Sequence, residues 1–303
     1  MKIWINGAEG FIGGHLVNYF NKTTSNVIGT SGRKNSSLQM CDILNITDIE
    51  RVLKISEPDV IFHLAAQSYV NVSWKDPDRT FITNVVGTKN VFESVRKCKI
   101  NPLILVAGSS AEYGDVTKSE MPIKETQILN PVTPYGISKV GEEMMASLYF
   151  KVYGIKTIKL RFFNITGPGK LNDATSDFAR GVVDVERKKK QYLEVGNLNK
   201  IRDITDVRDL IEALVILIEN GKCGDVYNIC SSRGRKIQEI VEIYSKLAKQ
   251  KVNIKQRKDP TRVYDEDVYI GDNTKICSLG WKPKISFEQT LEETLNYWRG
   301  VGR

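Results

Sequence analysis

The sequence is poor in residues that hold metals and cross-links. It contains only 2 histidines in 303 residues, His15 and His63, so a histidine-based metal site is not expected. Its 5 cysteines form no Cys-x-x-Cys pair; they are Cys41, Cys98, Cys223, Cys230 and Cys277. These absences argue against a zinc site and a disulfide framework, and they predict a reduced, cytoplasmic protein without a metal ion.

Long apolar runs are also missing. The longest candidate, 210–218, contains Glu212 and falls short of the roughly 18 residues of a membrane span. The first residues resemble a strand that enters a glycine turn, without the apolar core of a signal peptide, so no membrane partner is expected. Hydrophobic residues make up 41% and charged residues 26%, which excludes a disordered chain, a collagen or a coiled coil.

Positive charge is in excess. Lys and Arg number 44 against 36 Asp and Glu, a formal charge of +8, which suits either nucleic acid or a small anionic substrate. The basic runs at 187–190 and 246–258 are also what a solvated helix face carries. No helix pattern combines aromatics with a stripe of cations, so we expect an anionic small molecule and no nucleic acid.

Strand and helix patterns alternate through the first half of the chain. They predict strands at 2–6, 26–30, 60–64, 103–107 and 157–161, and helices at 11–20, 46–56, 78–97 and 134–153. Such alternation implies an α/β fold with a Rossmann-type, doubly wound parallel sheet. The pattern loosens after Phe163, which predicts one domain over 1–165 and a smaller, mixed α/β substrate domain over 166–303. The predicted elements of the second part are strands 193–195 and 226–229 and helices 175–189, 207–219, 236–249 and 287–299.

A glycine-rich turn follows the first strand and opens the first helix. It contains Gly7, Gly10 and Gly13, with Phe11 and Ile12 in the first helical turn. The first glycines let the backbone approach a pyrophosphate, and the last lets the helix pack closely on the sheet. The helix N-terminus adds free N–H groups and a positive dipole end, so the turn predicts a bound dinucleotide.

The end of the second strand bears on which dinucleotide binds. An acid there favours NAD, but the chain offers Ser31, Arg33 and Lys34. A guanidinium suits a 2′-phosphate, so these residues favour NADPH, with NADH also possible. Arg33 and Lys34 are equally what an exposed loop carries, and that alternative stays open.

A Tyr-x-x-x-Lys pair opens the helix at 134–153. Thr133 is a suitable N-cap and Pro134 suits the first helical position. Tyr135 and Lys139 lie four residues apart and therefore share a helix face. The ammonium is expected to lower the pKa of Tyr135, which predicts a proton donor or acceptor for a sugar oxygen.

Two serines follow the strand at 103–107. Ser109 and Ser110 lie at a carboxyl strand end, where ligands bind in such sheets. We expect Ser109 to hold a carbonyl oxygen beside Tyr135, although serines also serve turn chemistry alone.

Together these motifs resemble the extended short-chain dehydrogenases/reductases over nearly the whole chain. The matching segments are Gly7-x-x-Gly10-x-x-Gly13, His63-Leu64-Ala65-Ala66, Asn84-Val85-Val86-Gly87-Thr88, Ser109, and Tyr135 with Lys139. Within that family, segment 65–73 resembles GDP-mannose 4,6-dehydratases and their partner 4-keto reductases. Segments 161–169, 195–198 and 202–209 resemble the 4-keto reductases.

The resemblance implies further site residues. It implies that Asp42 and Ile43 lie beside the adenine, and that three residues after the third strand contact the cofactor: Leu64, Ala65 and Ala66. It implies a sugar-nucleotide site formed by Ser110, Asn164, Val195, Arg202 and Arg262. It also implies that segment 206–230 returns to the first domain, and that the protein is a homodimer through helices near 85–98 and 135–152.

The implied reaction is NAD(P)H-dependent reduction of the 4-keto group of a GDP-4-keto-6-deoxy sugar, a hexose or a heptose, for surface polysaccharide synthesis. Ser109 would fix the carbonyl, Tyr135 would protonate the forming alkoxide, and Lys139 would tune Tyr135 and hold the nicotinamide ribose. The alternatives are a 4-epimerase, which keeps its cofactor bound, and a 4,6-dehydratase. A binding module without turnover is disfavoured because the three catalytic residues are all present.

Position 111 bears on the dehydratase alternative. The dehydratases carry a glutamate two residues after the strand-end hydroxyl residue, where it serves the elimination as acid or base. Here that position is Ala111, and Glu112 comes one residue later. On an extended segment Glu112 faces away from the substrate, which favours a reductase; a turn at this point could bring it inward.

Overall fold

The computed structural model describes residues 1–23, 26–33, 35–257 and 267–301. Its strands are β1 (Ile3–Asn6), β2 (Val27–Ser31), β3 (Gln39–Met40), β4 (Val60–His63), β5 (Leu103–Ser109), β6 (Thr157–Phe162), β7 (Asn164–Thr166), β8 (Leu193–Val195), β9 (Ile201–Asp206), β10 (Val226–Ile229), β11 (Gly234–Lys236), β12 (Ile254–Gln256) and β13 (Val268–Tyr269). Its helices are α1 (Phe11–Thr23), α2 (Ile46–Ser56), α3 (Val70–Lys75), α4 (Pro77–Phe81), α5 (Gly87–Lys97), α6 (Pro134–Tyr153), α7 (Ala174–Glu186), α8 (Val207–Asn220), α9 (Ile237–Leu247), α10 (Thr274–Cys277) and α11 (Phe287–Gly300). A π-helical turn lies at Ile82–Val86, and 3₁₀ turns lie at Ser110–Glu112 and Lys118–Glu120.

Seven parallel strands form the larger sheet. Their order is β10-β6-β5-β4-β1-β2-β3, which confirms the predicted Rossmann-type, doubly wound topology. The order reverses between β4 and β1, so the turn after β1 lies at the switch point where such sheets bind ligands.

Alternate residues of the central strands feed two cores. Ile3 and Ile5 face α1 and α8, whereas Trp4, between them, faces α2 and α5. Every residue of β1 and β4 is buried, because helices cover both faces of the sheet.

The later part of the chain builds smaller sheets. In the described residues β9 pairs with β7, β11 and β13, and β8 pairs with β12; helices α7, α9 and α11 share a core with β8. The strand β10 and the helix α8 instead join the large sheet and its core. The predicted division at 165/166, with 206–230 returning, stays a proposal that these contacts support.

Several element bounds match the prediction, including α2, α6, β8 and β10. The predicted single helix at 78–97 is instead α4, the π turn and α5 in succession. The strand β9 was not predicted, because its buried positions are Asp203, Thr205 and Asp206 and therefore give no apolar alternation. None of the described helices is long and apolar enough to cross a bilayer.

Candidate active site

The glycine turn brings the ends of β1 and β4 together. Gly7 has a φ of +74°, and a Cβ on it would lie 2.7 Å from the amide nitrogen of Ala65. A Cβ on Gly13 would collide with the carbonyl oxygen of Gly7. Asn6 locks the junction, because its Oδ1 accepts the N–H groups of Leu64 at 2.9 Å and Ala65 at 3.0 Å. No side chain covers the backbone at these glycines, where a dinucleotide pyrophosphate must approach closely. These residues therefore fit the predicted cofactor.

Phe11, Ile12 and Ala66 border this turn, and all three are half-buried. The Lys170 ammonium lies 5.0 Å from the centroid of the Phe11 ring, and burial lowers the pKa of Lys170. Sequence reasoning missed this cation, because 159 positions separate two residues that the fold makes neighbours. Lys170 directly follows the Gly167-Pro168-Gly169 turn, which is the only local signal that could have indicated it.

An acid lies beside the end of β2, although segment 30–34 itself contains none. The Ser31 hydroxyl donates to Glu9 at 2.7 Å, and Arg33 Nε lies 3.8 Å from the same carboxylate. The acid comes from the glycine turn rather than from β2 itself. The Arg33 side chain is 75% exposed and can turn toward a ligand. Lys34 lies outside the described residues.

Asp42 and Ile43 follow β3, beside Ser31. The amide of Cys41 donates to the carbonyl of Ser31 at 2.9 Å, and Asn90 donates to the carbonyl of Ile43 at 3.0 Å. Asp42 closes its own turn by accepting the amide of Leu44 at 2.9 Å. The two residues therefore lie at the edge of the sheet where an adenine is expected, and their role stays a prediction.

The catalytic candidates meet at the start of α6. Thr133 caps the helix, with its Oγ1 accepting the Gly136 amide at 2.9 Å. Tyr135 is buried, and the side chain of Ser109 lies beside its phenol and lowers its pKa. The Lys139 ammonium donates to the carbonyl of Ala107 at 2.8 Å and lies 5.9 Å from the centroid of the Tyr135 ring. The fold thus brings together all three residues that the motifs predicted.

The expected lowering of the Tyr135 pKa is wrong for this structure. Burial raises the pKa, and the opposing effects of Lys139 and the Ser109 hydrogen bond are smaller. A carboxylate, Glu142, lies 2.9 Å from the Lys139 ammonium and offsets its charge. Tyr135 is therefore held as a phenol, which is the form that donates a proton.

Glu142 begins a buried polar chain that sequence reasoning missed. Thr88 is among the groups that lower the pKa of Glu142, and the Thr88 hydroxyl lies 2.7 Å from Nε2 of His63. Nδ1 of His63 lies 3.1 Å from Oδ1 of Asn6. Burial lowers the pKa of His63 to about 3, so the imidazole is neutral near pH 7. The signal was the spacing, because Glu142 lies three residues after Lys139 and seven after Tyr135.

Asn84, in the π turn, ties the loop after β4 to α6. Its side chain accepts the Gln67 amide at 2.7 Å, and it donates to the Gln67 carbonyl and to Oγ of Ser138. Asn84 is fully buried, so it is more than an ordinary polar helix residue.

The predicted substrate residues are less closely grouped. Asn164 follows β6 beside the end of β5, and its side chain donates to the carbonyl of Asp203 on β9 at 3.0 Å. Arg202 neighbours Asp203 on β9, and the half-buried Ser110 follows Ser109. Arg262 lies outside the described residues.

Val195 does not present a side chain to this site. It is 3% exposed and packs in the core that α7 and α9 share. Its carbonyl accepts the Arg257 amide at 2.8 Å, and its ligand role stays a prediction.

The comparisons with known proteins decide the family. The model for GDP-mannose 4,6 dehydratase matches residues 4–294. The chain belongs to this dehydratase family.

Relatives in the family differ in activity. GDP-6-deoxy-D-mannose reductase of Pseudomonas aeruginosa is 30% identical, over 98% of this chain and 97% of that protein. A putative UDP-glucose 4-epimerase of Methanocaldococcus jannaschii is 28% identical, over 99% of both chains. Among solved structures, RMD from Pseudomonas aeruginosa complexed with NADPH superposes with a TM-score of 0.90 at 28% identity, covering 99% of each chain. The predicted membership of the extended short-chain dehydrogenases/reductases is confirmed.

The Glu112 side chain is directed toward the Ser109 amide and Arg161. The chain at 110–112 is a 3₁₀ turn rather than extended, yet the Glu112 side chain is buried and accepts the Ser109 amide at 2.7 Å. Its other oxygen lies 3.7 Å from Arg161, which also forms a two-bond ion pair with Glu143. Burial and the neighbouring Glu143 raise the pKa of Glu112, which favours its protonated form. The expectation of an extended segment at 110–112 is wrong, and the expectation that Glu112 faces away from the substrate stays a prediction.

Proposed function

We propose that the chain reduces the 4-keto group of a GDP-4-keto-6-deoxy sugar, a hexose or a heptose. The observation that carries this proposal is the placement of Ser109 beside the protonated Tyr135, while the Glu112 carboxyl group is held by the Ser109 amide and lies 3.7 Å from Arg161. Reduction needs one proton donor beside the keto oxygen, whereas elimination also needs a carboxyl group there. Position 111, where the dehydratases carry that carboxyl group, is alanine.

The roles of the residues follow from their contacts. NADPH, when bound, supplies the hydride. Ser109 donates a hydrogen bond to the keto oxygen and holds it beside Tyr135. Tyr135 gives its phenolic proton to that oxygen as negative charge develops, and Lys139 stabilises the phenolate that remains.

The cofactor proposal is NADPH, with NADH also accepted. The exposed Arg33 can pair with a 2′-phosphate, and the related RMD is complexed with NADPH. Glu9 works against this preference, because its carboxylate repels a phosphate and accepts ribose hydroxyls instead. The two charges together imply a modest preference.

The substrate proposal rests on cations and amides around the carboxyl edge. Asn164, Arg202 and Ser110 border the site, and a GDP diphosphate calls for such cations. The relative named GDP-6-deoxy-D-mannose reductase supports a guanine nucleotide sugar. We place the reaction in the cytoplasm, in the supply of GDP-6-deoxy sugars for surface polysaccharides.

We further propose a homodimer through α6 and the neighbouring π turn. Four apolar side chains line one exposed face of α6, with exposures of 47% for Ile137, 53% for Met144, 47% for Leu148 and 61% for Val152. Ile82 and Val86 of the π turn, which packs on α6, are also exposed. A second copy would cover this stripe. Light scattering should show a dimer that Leu148→Glu splits, and a monomeric unmodified chain would refute it.

The test of the reaction uses two substrate mixtures. With a GDP-4-keto-6-deoxy sugar and NADPH, we expect NADPH consumption and a GDP-6-deoxy sugar identified by NMR. With GDP-mannose and NADP, we expect no 4-keto product; its appearance would indicate a dehydratase. Tyr135→Phe is the matched control in both mixtures. Protein that carries tightly bound cofactor as purified, and interconverts 4-epimers without added NADPH, would indicate an epimerase.

A further inference from the structure

Tyr135, Lys139 and Glu142 lie on one face of α6, at spacings of four and three residues. All three side chains are buried: Tyr135 is 9% exposed, Lys139 is 3% exposed and Glu142 is 1% exposed. The Lys139–Glu142 ion pair, at 2.9 Å, is therefore shielded from water, where a charge acts over a longer range than at the surface. The charge that Lys139 presents to Tyr135 thus depends on Glu142.

Thr88, His63 and Asn6 lie beyond Glu142, and the hydrogen bonds between them have a defined direction. Oδ1 of Asn6 accepts two backbone amides, so the 3.1 Å contact with His63 requires a proton on Nδ1 of the imidazole. Nε2 of the neutral His63 is then an acceptor that faces the Thr88 hydroxyl.

The Thr88 hydroxyl therefore donates to His63, and the Lys139 ammonium, 2.9 Å away, is the charged group in contact with Glu142. Burial, opposed by Lys139 and Thr88, raises the pKa of Glu142 to about 7. Glu142 therefore changes charge in the range where the protein works.

Among the charged groups around Tyr135, Glu142 is the one whose charge changes near pH 7. Lys139 and Glu142 face Tyr135 from α6, and Glu112 acts on it from the 3₁₀ turn, where burial and Glu143 raise the pKa of Glu112. His63 on β4 is neutral, and Arg161 on β6 is bound by Glu143.

We propose that Glu142 is a positioning residue that offsets the charge of Lys139 and thereby keeps Tyr135 in its protonated, proton-donating form. This inference deepens the proposed reductase function and rests on it, since a reductase needs the phenol as its resting state. An enzyme that begins by oxidising its substrate needs the phenolate instead.

The test follows the ionisation of Tyr135 directly. Protein labelled with ¹³C at the tyrosine Cζ atoms is titrated by NMR without substrate or cofactor, and Tyr135→Phe assigns the resonance. In Glu142→Gln, Lys139 keeps its full charge, so Tyr135 should ionise about half to one pH unit lower. Glu142→Asp, which restores a carboxylate, should move the titration back toward that of the unmodified protein.

A control and a second neutral variant keep the test decisive. Glu93→Gln removes a carboxylate that contacts Tyr149, elsewhere on α6, and should leave the Tyr135 titration unchanged. Glu142→Met replaces Glu142→Gln if that variant does not fold. A folded neutral variant whose Tyr135 titration stays in place, or moves upward, would overturn the proposal.

The same shift should appear in the reaction. In Glu142→Gln, the pH at which kcat for NADPH oxidation falls on the alkaline side should be lower by the shift that NMR measures for Tyr135. If no 4-keto sugar is turned over while the NMR titration still shifts, the proposed function fails and the role of Glu142 stands.

Discussion

Glu142 and Glu143 are neighbours on α6, both are buried, and they face different polar clusters. Glu142 belongs to the site-side cluster, which comprises Tyr135, Lys139, Glu142, Thr88 and His63. Glu143 belongs to the back cluster, which comprises Glu112, Glu143 and Arg161.

The two clusters differ in how their cation is held. Arg161 grips Glu143 through two hydrogen bonds of 2.9 and 2.7 Å and also stacks 4.7 Å from the centroid of the Tyr113 ring. Lys139 meets Glu142 at a single point, and its other contact is a backbone carbonyl. The planar Arg161 guanidinium, with its two hydrogen bonds, fixes the geometry of Glu143. The single contact of Lys139 leaves Glu142 able to gain or lose a proton. Burial alone therefore does not decide whether an acid takes part in the chemistry, because the cation that it contacts also matters.

The largest effect should come from Tyr135, the member of the site-side cluster that donates the proton. Tyr135→Phe removes the proton donor and should lower kcat by a factor of about one hundred or more, with the fold retained. Tyr149→Phe, on the same helix with its hydroxyl on Glu93, should keep the rate. Steady-state NADPH oxidation measures both, and near-normal turnover in Tyr135→Phe would break the assignment of the acid.

The back cluster should respond in stability rather than in chemistry. Glu143→Gln leaves the Arg161 guanidinium, 4% exposed, without its main charge partner. The free energy of unfolding should fall by about 3 kcal/mol or more. Glu93→Gln disrupts an exposed pair with Arg96 and should cost about 1 kcal/mol or less. Urea unfolding compares the two variants, and equal losses would show that the two pairs are equivalent.

Glu112 offers a subtler change within the back cluster. Its pKa is raised in the folded protein, above 4.5 for the free side chain, so the unfolded chain loses its proton first as pH rises. Stability from this group is therefore present at acid pH and declines as pH rises above about 4.5. Glu112→Gln, which cannot ionise, should flatten the fall in Tm between acid and neutral pH. A variant with the same pH slope as the unmodified protein would contradict the protonated assignment.

The smallest expected effects lie at the adenosine end, far from both clusters. Glu9→Gln removes a carboxylate near the 2′-phosphate position and should shift the ratio of kcat/KM for NADPH over NADH upward by about tenfold. Arg33→Ala should shift the same ratio downward by a similar factor. Both variants should leave the alkaline limb of the pH profile in place. Shifts in the same direction for both variants would contradict the opposed-charge account.

Features that depend on residues close together in the chain could be predicted from the sequence, and features that depend on distant residues could not. The Tyr135–Lys139 pair and the Thr133 cap depend on neighbours in the chain, and the structure places them as expected. Glu9 escaped because its partners, Ser31 and Arg33, lie on another strand. A local pattern therefore shows which residues share a helix face but not what lies opposite that face.

The smaller sheets escaped for a different reason. The buried face of β9 carries Asp203, whose carboxylate accepts the amides of Ser231, Ser232 and Gly271. A strand stabilised by buried hydrogen bonds has no apolar alternation to read. The ligand role of Val195 stays a prediction, because the resemblance does not show which way a side chain points and that of Val195 lies in the core.

The central claim is that hydride passes from NADPH to C4 of the sugar, and one measurement addresses it directly. Protein, a GDP-4-keto-6-deoxy sugar and NADPH carrying deuterium at the transferred position are incubated together, and the product is analysed by NMR. The account predicts one deuterium at C4 of a GDP-6-deoxy sugar for each NADPH consumed. A C4 position without deuterium, or conversion without NADPH consumption, would contradict it.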